Sequence, residues 1–286
     1  TVARQTMSED SVWHGPDPIN HLRGIDAIIS DFWQPLLHSF PDLKRQTHIF
    51  IGGKSNGRID GTNDGHMWVS GTGYFNAKFA NDYLTIPATG EPVSIRWGEF
   101  CRIEQGKIVE TYVLLDFIDL MQQSGFQVLP PSRGVDGIYP PPKAKDGILL
   151  EAQDEQESAH TLEHIRRFIF DALNSYDQSA LKSMGIADYF DPKVQWYGPG
   201  GIGACLSLKE FEDNHQRHWL RAYPDRQVQN LDALIAEGRY SGAPGWAGVL
   251  STHTGDNLDA KATNNPVELN GLDFWKLEND RCDDKS

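Results

Sequence analysis

The sequence predicts two related α+β domains in tandem. Three observations support this prediction. A set of aromatic, glycine and proline landmarks occurs twice, helical and β periodicity follow each other in both halves, and a Pro- and Gly-rich segment separates the halves. The length of 286 residues also suits two domains of ordinary size.

The internal repeat rests on two landmarks that share one register. Residues 13–16 (WHGP) match residues 196–199 (WYGP), and residues 40–42 (FPD) match residues 223–225 (YPD). The differences 196 − 13 and 223 − 40 are both 183. Two landmarks in a single register favour duplication over chance similarity.

A third match places the domain boundaries. Residues 99–104 (EFCRIE) match residues 273–278 (DFWKLE), and 273 − 99 is 174, so the middle loops of the second copy are shorter. We predict a first domain over 1–128, a Pro- and Gly-rich and then acidic linker over 129–158, and a second domain over 159–286. The last residues of the chain do not resemble a strand, so the second domain is expected to lack its last strand.

Helical spacing of apolar residues identifies the helices. Pro35 is expected to kink or shorten the first of them, because proline removes a backbone donor. The predicted helices cover 24–38, 160–175, 180–189 and 207–221.

The clearest β signal is a hairpin of two strands, Val93–Ile103 and Ile108–Leu115, joined at Gln105-Gly106. With that turn as centre, paired positions sum to 211, so Glu99 is expected to face Tyr112. Strand alternation then predicts one shared face. That face would carry Ile95, Trp97, Glu99, Cys101, Tyr112, Leu114 and Asp116, and a short helix would follow from Phe117.

Charge and cysteine content exclude several classes of function. The formal charge is −14, which disfavours binding to nucleic acid or to an anionic membrane. The three cysteines include no CxxC pair, which is typical of a reducing cytosol rather than of a disulfide framework. We find no long apolar run and no signal-peptide core, and we therefore predict a cytoplasmic protein.

Residues 97–125, together with 40–43 (FPDL) and 86–90 (IPATG), resemble the SnoaL-like polyketide cyclases of the nuclear-transport-factor-2-like (NTF2-like) superfamily. The second copy carries the same pattern more weakly. The resemblance implies two cone-shaped domains, each a curved antiparallel sheet wrapped on helices with a cavity at the open end. It also implies acid/base chemistry without a cofactor.

The resemblance further implies that Asp116 is the acid/base residue of an intramolecular aldol ring closure. An N-cap of the following helix is the equally weighted alternative for Asp116. Glu99, on the same predicted face, is a second candidate acid/base group, with an ion pair to Arg or Lys as its alternative. Asp273 is the counterpart of Glu99 in the second copy and has the same alternatives.

The remaining candidates would line the pocket. Trp97, Tyr112 and Leu114 would form an apolar wall, and Cys101 is expected to be a packed thiol rather than a nucleophile. The residues at the WHGP and WYGP landmarks, namely Trp13, His14 and Tyr197, would bind a ligand at the cavity mouth or would simply pack. Two histidine pairs, His160 with His164 and His215 with His218, have zinc-compatible spacing but no third ligand, so surface positions are expected.

Together these features predict a cofactor-independent enzyme of polyketide cyclase, aldol or isomerase type. Its ligand would be a small hydrophobic carbonyl compound, and the first domain would be the active half. The two domains are expected to pair within the chain, and further homo-oligomerisation is left open. The alternatives are a non-catalytic binding protein and a scaffold with the same fold.

Overall fold

The computed structural model describes residues 2–178 and 180–285, which form two compact units. The first unit comprises the chain up to Gly52, His66–Val128 and Pro140–Leu150. The second comprises Gly53–Gly65, Leu129–Tyr139 and the chain from Glu151 on. The units thus follow the predicted boundaries except that 53–65 belongs to the second unit and the linker is divided between the two.

The first unit contains a six-stranded sheet with the order β2-β1-β6-β5-β4-β3. Its strands are β1 (Met7–His14), β2 (His21–Arg23), β3 (Lys44–Lys54), β4 (Met67–Lys78), β5 (Pro92–Glu104) and β6 (Lys107–Leu115). The sheet is mixed rather than purely antiparallel, because β1 runs parallel to β6.

The second unit contains a seven-stranded sheet with the order β10-β11-β12-β13-β7-β8, and β9 pairs with β11. Its strands are β7 (Phe190–Tyr197), β8 (Ala204–Cys205), β9 (Gln227–Val228), β10 (Ile235–Glu237), β11 (Tyr240–Thr252), β12 (Pro266–Glu278) and β13 (Arg281–Lys285). Again one pair is parallel, here β13 with β7.

The two sheets have the same strand order when their strands are matched in the order in which they occur along the chain. β7 corresponds to β1, β12 to β5, and β13 to β6. The expectation that the second domain lacks its last strand is therefore wrong, because Arg281–Lys285 pairs with β12 and β7. Its sequence hides the strand, since charged residues occupy most of it. The predicted fold class, two α+β domains, is confirmed.

The predicted helices are present. Helices of the first unit are α1 (Val2–Thr6), α2 (Ile25–Ala27), α3 (Gln34–Ser39) and α4 (Phe117–Gln123). Those of the second are α5 (Glu155–Arg167), α6 (Ile186–Tyr189), α7 (Leu208–Glu210) and α8 (Arg217–Ala222). Of these, α1, α2 and α3 of the first unit correspond to α6, α7 and α8 of the second. A 3₁₀ turn, Leu181–Met184, precedes α6.

A wide π-helical turn joins α2 to α3 at Ile28–Trp33, and another joins α7 to α8 at Phe211–Gln216. The irregularity that was expected from Pro35 is observed as this π-helical turn. It does not depend on the proline, because the second copy has the same turn with His218 at the equivalent position.

The β5–β6 hairpin has the predicted turn but not the predicted register. Gln105 and Gly106 take positive φ values of 49° and 75°, as the turn requires. Ile103 pairs with Ile108, whereas Arg102 pairs with Glu110, so Val109 is an extra residue in β6. This β-bulge shifts all later pairs by one, and a shift of one residue exchanges the two faces of a strand.

The core of the first unit lies between one face of its sheet and the helices. We call this the core face and the opposite side the outer face. Trp13, Trp97 and Val113 pack there against Phe32 and Leu36. All five side chains are buried. The second core is built in the same way from Trp196, Phe211 and Trp275.

The FPD and YPD landmarks repeat because both aspartates perform one structural task. Asp42 Oδ1 accepts a hydrogen bond of 2.8 Å from the backbone N–H of Lys78, at the end of β4. Asp225 Oδ1 accepts one of 2.8 Å from the N–H of Thr252, at the end of β11. Each carboxylate thereby holds the loop after the helix against the end of a long strand.

Within the described ranges, no helix is long and apolar enough to cross a membrane.

Candidate functional site

The predicted site residues of the first domain lie on two opposite faces of the sheet. Trp13, Trp97, Glu99 and Cys101 belong to the core face, where Trp97 pairs with Leu115 and Glu99 with Val113. The prediction that Tyr112 and Leu114 share this face is wrong. Both lie on the outer face with His14, because the bulge at Val109 shifts the register.

Asp116 is the N-cap of α4. Its Oδ1 accepts a hydrogen bond of 3.0 Å from the backbone N–H of Asp119, and its own N–H donates to the carbonyl of Arg96. The structure therefore shows the capping alternative for this residue. It does not bring Asp116 into the Trp97–Glu99–Cys101 group, so its role as an acid/base residue stays a prediction from resemblance.

We expect Asp116→Ala to lower the free energy of unfolding of the first domain by about 1 kcal/mol, because α4 loses its cap. Asp116→Asn should leave it nearly unchanged, since asparagine caps equally well. Urea unfolding followed by circular dichroism measures both. Equal destabilisation by Ala and Asn would contradict a capping role.

Glu99 forms an ion pair with Arg45 on the core face. Arg45 Nη2 lies 2.6 Å from Glu99 Oε1, and the Arg45 guanidinium lies 3.8 Å from the centre of the Trp97 ring. The side chains of Arg45 and Glu99 are 35% and 21% exposed, so solvent reaches this pair. The ion-pair alternative for Glu99 is thus observed. Sequence reasoning missed Arg45 because nothing in strand periodicity indicates a partner two strands away.

Cys101 is buried two residues beyond Glu99. Burial, and then the negative charge of Glu99, raises the pKa of its thiol well above the ordinary range. The Thr111 hydroxyl lies 3.8 Å from its Sγ. A thiol of raised pKa is a poor nucleophile, which agrees with the expected packing role.

The outer face carries a polar cluster centred on Glu110, which sequence reasoning did not single out. Glu110 Oε1 lies 3.2 Å from His14 Nε2 and accepts 3.1 Å from the Tyr112 hydroxyl, and its Oε2 accepts 2.9 Å from Arg102 Nε. The His14 ring stacks on Tyr112 at 4.4 Å. Hydrogen bonds from His14, and then from Arg102 and Tyr112, lower the pKa of Glu110 to about 2 despite its partial burial.

The lowered pKa of Glu110 predicts a pH-dependent contribution to stability. Because the folded-state pKa lies below the ordinary 4.5, ionised Glu110 stabilises the fold above pH 4.5, and this contribution is lost as the pH falls toward 2. We expect Glu110→Gln to cost about 2 kcal/mol at pH 7 and clearly less at pH 3. Urea unfolding at both pH values measures this. A cost that is independent of pH would contradict it.

The second domain has different groups at the equivalent positions. Asp273 Oδ1 lies 3.2 Å from Lys285 Nζ, so this carboxylate also forms an ion pair. Tyr197 stacks on Tyr139 at 5.0 Å, and its hydroxyl donates to Gln195. Trp196 stacks on His215 at 4.4 Å, in the place where Trp13 contacts Phe32 in the first domain.

A pocket of about 200 Å³ lies in the second unit, and no predicted site residue lines it. Its lining comes from the linker, from Gly201 and Ile202, from the end of the second π-helical turn with the start of α8, and from the loop at Asn257. In the sequence, only the close spacing of His215 and His218 could have indicated this pocket.

The histidine pairs lack the geometry of a metal centre. His160 Nε2 lies 2.8 Å from Asp280, and the rings of His160 and His164 are 6.5 Å apart. His215 is half-buried and stacks on Trp196, and among residues 2–178 and 180–285 no group of three or more His, Cys, Asp or Glu could hold a metal ion.

Residues 2–111 match the SnoaL-like domain family. The first domain is a SnoaL-like domain. No curated protein matches the chain significantly.

Solved structures with similar folds each align with less than half of this chain. IdmH from Streptomyces antibioticus, described as a candidate polyketide cyclase, is 18% identical with a TM-score of 0.35, over 43% of this chain and 85% of that one. A SnoaL-like polyketide cyclase from Agrobacterium tumefaciens is 16% identical with a TM-score of 0.32, over 42% and 81%. An NTF2-like protein from Burkholderia thailandensis is 17% identical with a TM-score of 0.31, over 43% and 81%.

Proposed function

We propose that the SnoaL-like domain is a cofactor-independent acid/base enzyme of polyketide cyclase, aldol or isomerase type. Its substrate would be a small hydrophobic carbonyl compound, and its base would be Glu99 rather than Asp116. The observation that carries this proposal is the Arg45–Glu99 pair over Trp97, which places a carboxylate and a guanidinium side by side on the apolar core face.

The two carboxylate oxygens of Glu99 have different surroundings. Oε1 is bonded to Arg45, whereas Oε2 has no hydrogen-bond partner within the described part of the chain. Oε2 is therefore the oxygen that can accept a proton from a substrate carbon, while Arg45 holds the group in orientation.

Arg45 can also stabilise the charge that this proton transfer creates. A guanidinium has five N–H donors in a fixed fork, and only one bond to Glu99 is made here. A remaining donor could bind the oxygen of an enolate, which carries the electron pair left by the departing proton. The buried ring of Trp97 packs against the guanidinium and holds it in place.

In the proposed reaction, Glu99 accounts for both proton transfers. Glu99 takes the proton from a carbon next to a carbonyl, and the enolate carbon attacks a second carbonyl of the same molecule. A carbon–carbon bond forms, and the new alkoxide takes the proton back from Glu99. An isomerase would instead return the proton to a different carbon.

The experiment that tests this function is deuterium uptake in D₂O at the activated carbon of β-keto esters and aryl β-diketones, followed by NMR. Proton abstraction is common to all the candidate reactions, so the true substrate is not needed. Exchange above the buffer rate would support an acid/base enzyme. Binding of these compounds with no exchange would contradict it and indicate a binding protein.

A further inference from the structure

The pocket in the second unit is formed by three separate parts of the chain. They are the linker residues Pro130, Pro131 and Arg133, the residues Gly201 and Ile202 with the stretch Asn214–Trp219, and the loop at Asn257–Leu258. All lie in one compact unit, and none belongs to the Arg45–Glu99 pair. The pocket is therefore a feature additional to the proposed acid/base site.

One side of this pocket offers aromatic surfaces. The His215 ring lies 4.4 Å from Trp196 at an interplanar angle of 21°, and 6.2 Å from Trp219 at 24°. Burial, and then the nearby charges of Lys285 and Arg226, lowers the pKa of His215 to about 3. The imidazole is thus neutral at physiological pH, and together with Trp219 it gives one wall of the pocket an uncharged aromatic lining.

The two domains differ in the residues at these two ring positions. With the offset of 183, His215 corresponds to Phe32 and Trp219 to Leu36. In the first domain both positions are fully buried in the apolar core. The second domain has exchanged core residues for rings that line a pocket, which a purely structural role does not require.

The polar groups of the pocket favour an anion. Arg133 is its cation, the amides of Asn214 and Asn257 add donors, and none of the described lining residues is acidic. The pKa of His218 is lowered by burial first, and then by Arg133 and Arg221, which reflects positive charge crowded at this point. A chain with a formal charge of −14 has here a local excess of positive charge.

The backbone holds Arg133 at the pocket. The N–H of Gly134 donates to the carbonyl of Ile202 at 3.0 Å, and Val135 and Ala204 exchange two hydrogen bonds of 2.8 Å. A Cβ at position 134 would lie 2.4 Å from the carbonyl oxygen of Ala204, so only glycine allows this close approach. The segment with Arg133 is therefore anchored immediately after the arginine.

We propose that the second domain binds a small planar aromatic carboxylate in this pocket. The aromatic part would pack against the wall formed by His215 and Trp219, and the carboxylate would bind Arg133 and the neighbouring amides. This binding is independent of the chemistry proposed for the first domain, because no residue is shared.

Isothermal titration calorimetry of the full chain with 2-naphthoate and 2-naphthamide tests the proposal, since the two probes share their rings and differ in charge. We expect naphthoate to bind at least about tenfold more tightly than naphthamide, as one charged hydrogen bond would give. Arg133→Gln should weaken naphthoate about tenfold and leave naphthamide unchanged. Arg281→Gln, the same chemical change at an exposed position outside the pocket lining, should change neither.

Gly134→Ala gives a second test that keeps the charge. It should displace the anchored segment and weaken naphthoate as Arg133→Gln does. The proposal is overturned if naphthoate does not bind the unaltered chain, if naphthamide binds equally well, or if Arg133→Gln and Arg281→Gln have equal effects.

Discussion

Glu99→Gln should slow enzyme-dependent deuterium exchange by about 10²-fold or more, which is the usual contribution of a general base. The substitution keeps the size and planarity of the side chain and removes its ability to accept a proton. The amide oxygen can still accept a hydrogen bond from Arg45, so the position of the guanidinium over Trp97 should change little. The exchange rate of a β-diketone in D₂O, measured by NMR at saturating probe, gives the result.

Asp116→Asn is the matched control for this experiment. It removes the same charge from the residue that follows β6, the strand paired with β5, and it keeps the cap of α4. We expect exchange within about twofold of the unaltered chain, well inside the effect expected for Glu99→Gln. The reverse outcome, with exchange lost in Asp116→Asn and kept in Glu99→Gln, would return the role of base to Asp116. Loss in both variants would show that the two carboxylates act together.

Gly73→Ala should destabilise the first domain by about 3 kcal/mol. Gly73 lies in β4 opposite Trp97, and a Cβ there would be 2.0 Å from the carbonyl oxygen of Gln46. The clashing atoms are backbone of β3, which cannot turn aside as the end of a flexible side chain can. The neighbouring strands must therefore separate, and hydrogen bonds of the sheet are strained or lost.

Gly90→Ala separates this clash from the conformational effect of losing a glycine. Gly90 has φ +72° and open space around its Cα, so its substitution should cost only about 1 kcal/mol. Urea unfolding of both variants, followed by circular dichroism, gives the comparison. Equal unfolding midpoints for the two variants would show that β3 and β4 can relax around the added methyl group.

Much of the fold was predictable because periodicity and turn chemistry are local. The turn at Gln105-Gly106, the helix from 24 to 38 and the duplication all follow from spacing in the sequence. The faces of β6 did not follow, because alternation assumes regular pairing and Val109 breaks it. Its branched apolar side chain is as typical of a regular strand as of a bulge, so the residue type does not indicate the bulge.

The candidate site was predictable only in part for a related reason. Trp97, Glu99 and Cys101 lie on one strand and were grouped correctly, whereas Arg45 reaches them from β3, across β4, through the tertiary fold. The five-residue strand β13 was missed because its charged residues suit an exposed tail equally well. In both cases the deciding contacts join residues that are far apart along the chain.

The bulge in β6 has an exact counterpart in β13. Leu277 pairs with Cys282 and Lys276 with Asp284, which leaves Asp283 as the extra residue, and 283 − 109 is 174, the offset of this part of the repeat. An irregularity placed identically in both halves is most simply inherited from a single ancestral domain that already had it. The exchanges of Phe32 for His215 and of Thr111 for Lys285 then record later divergence. One ancestral scaffold has been kept twice, while the side chains that decide its chemistry have evolved separately in each half.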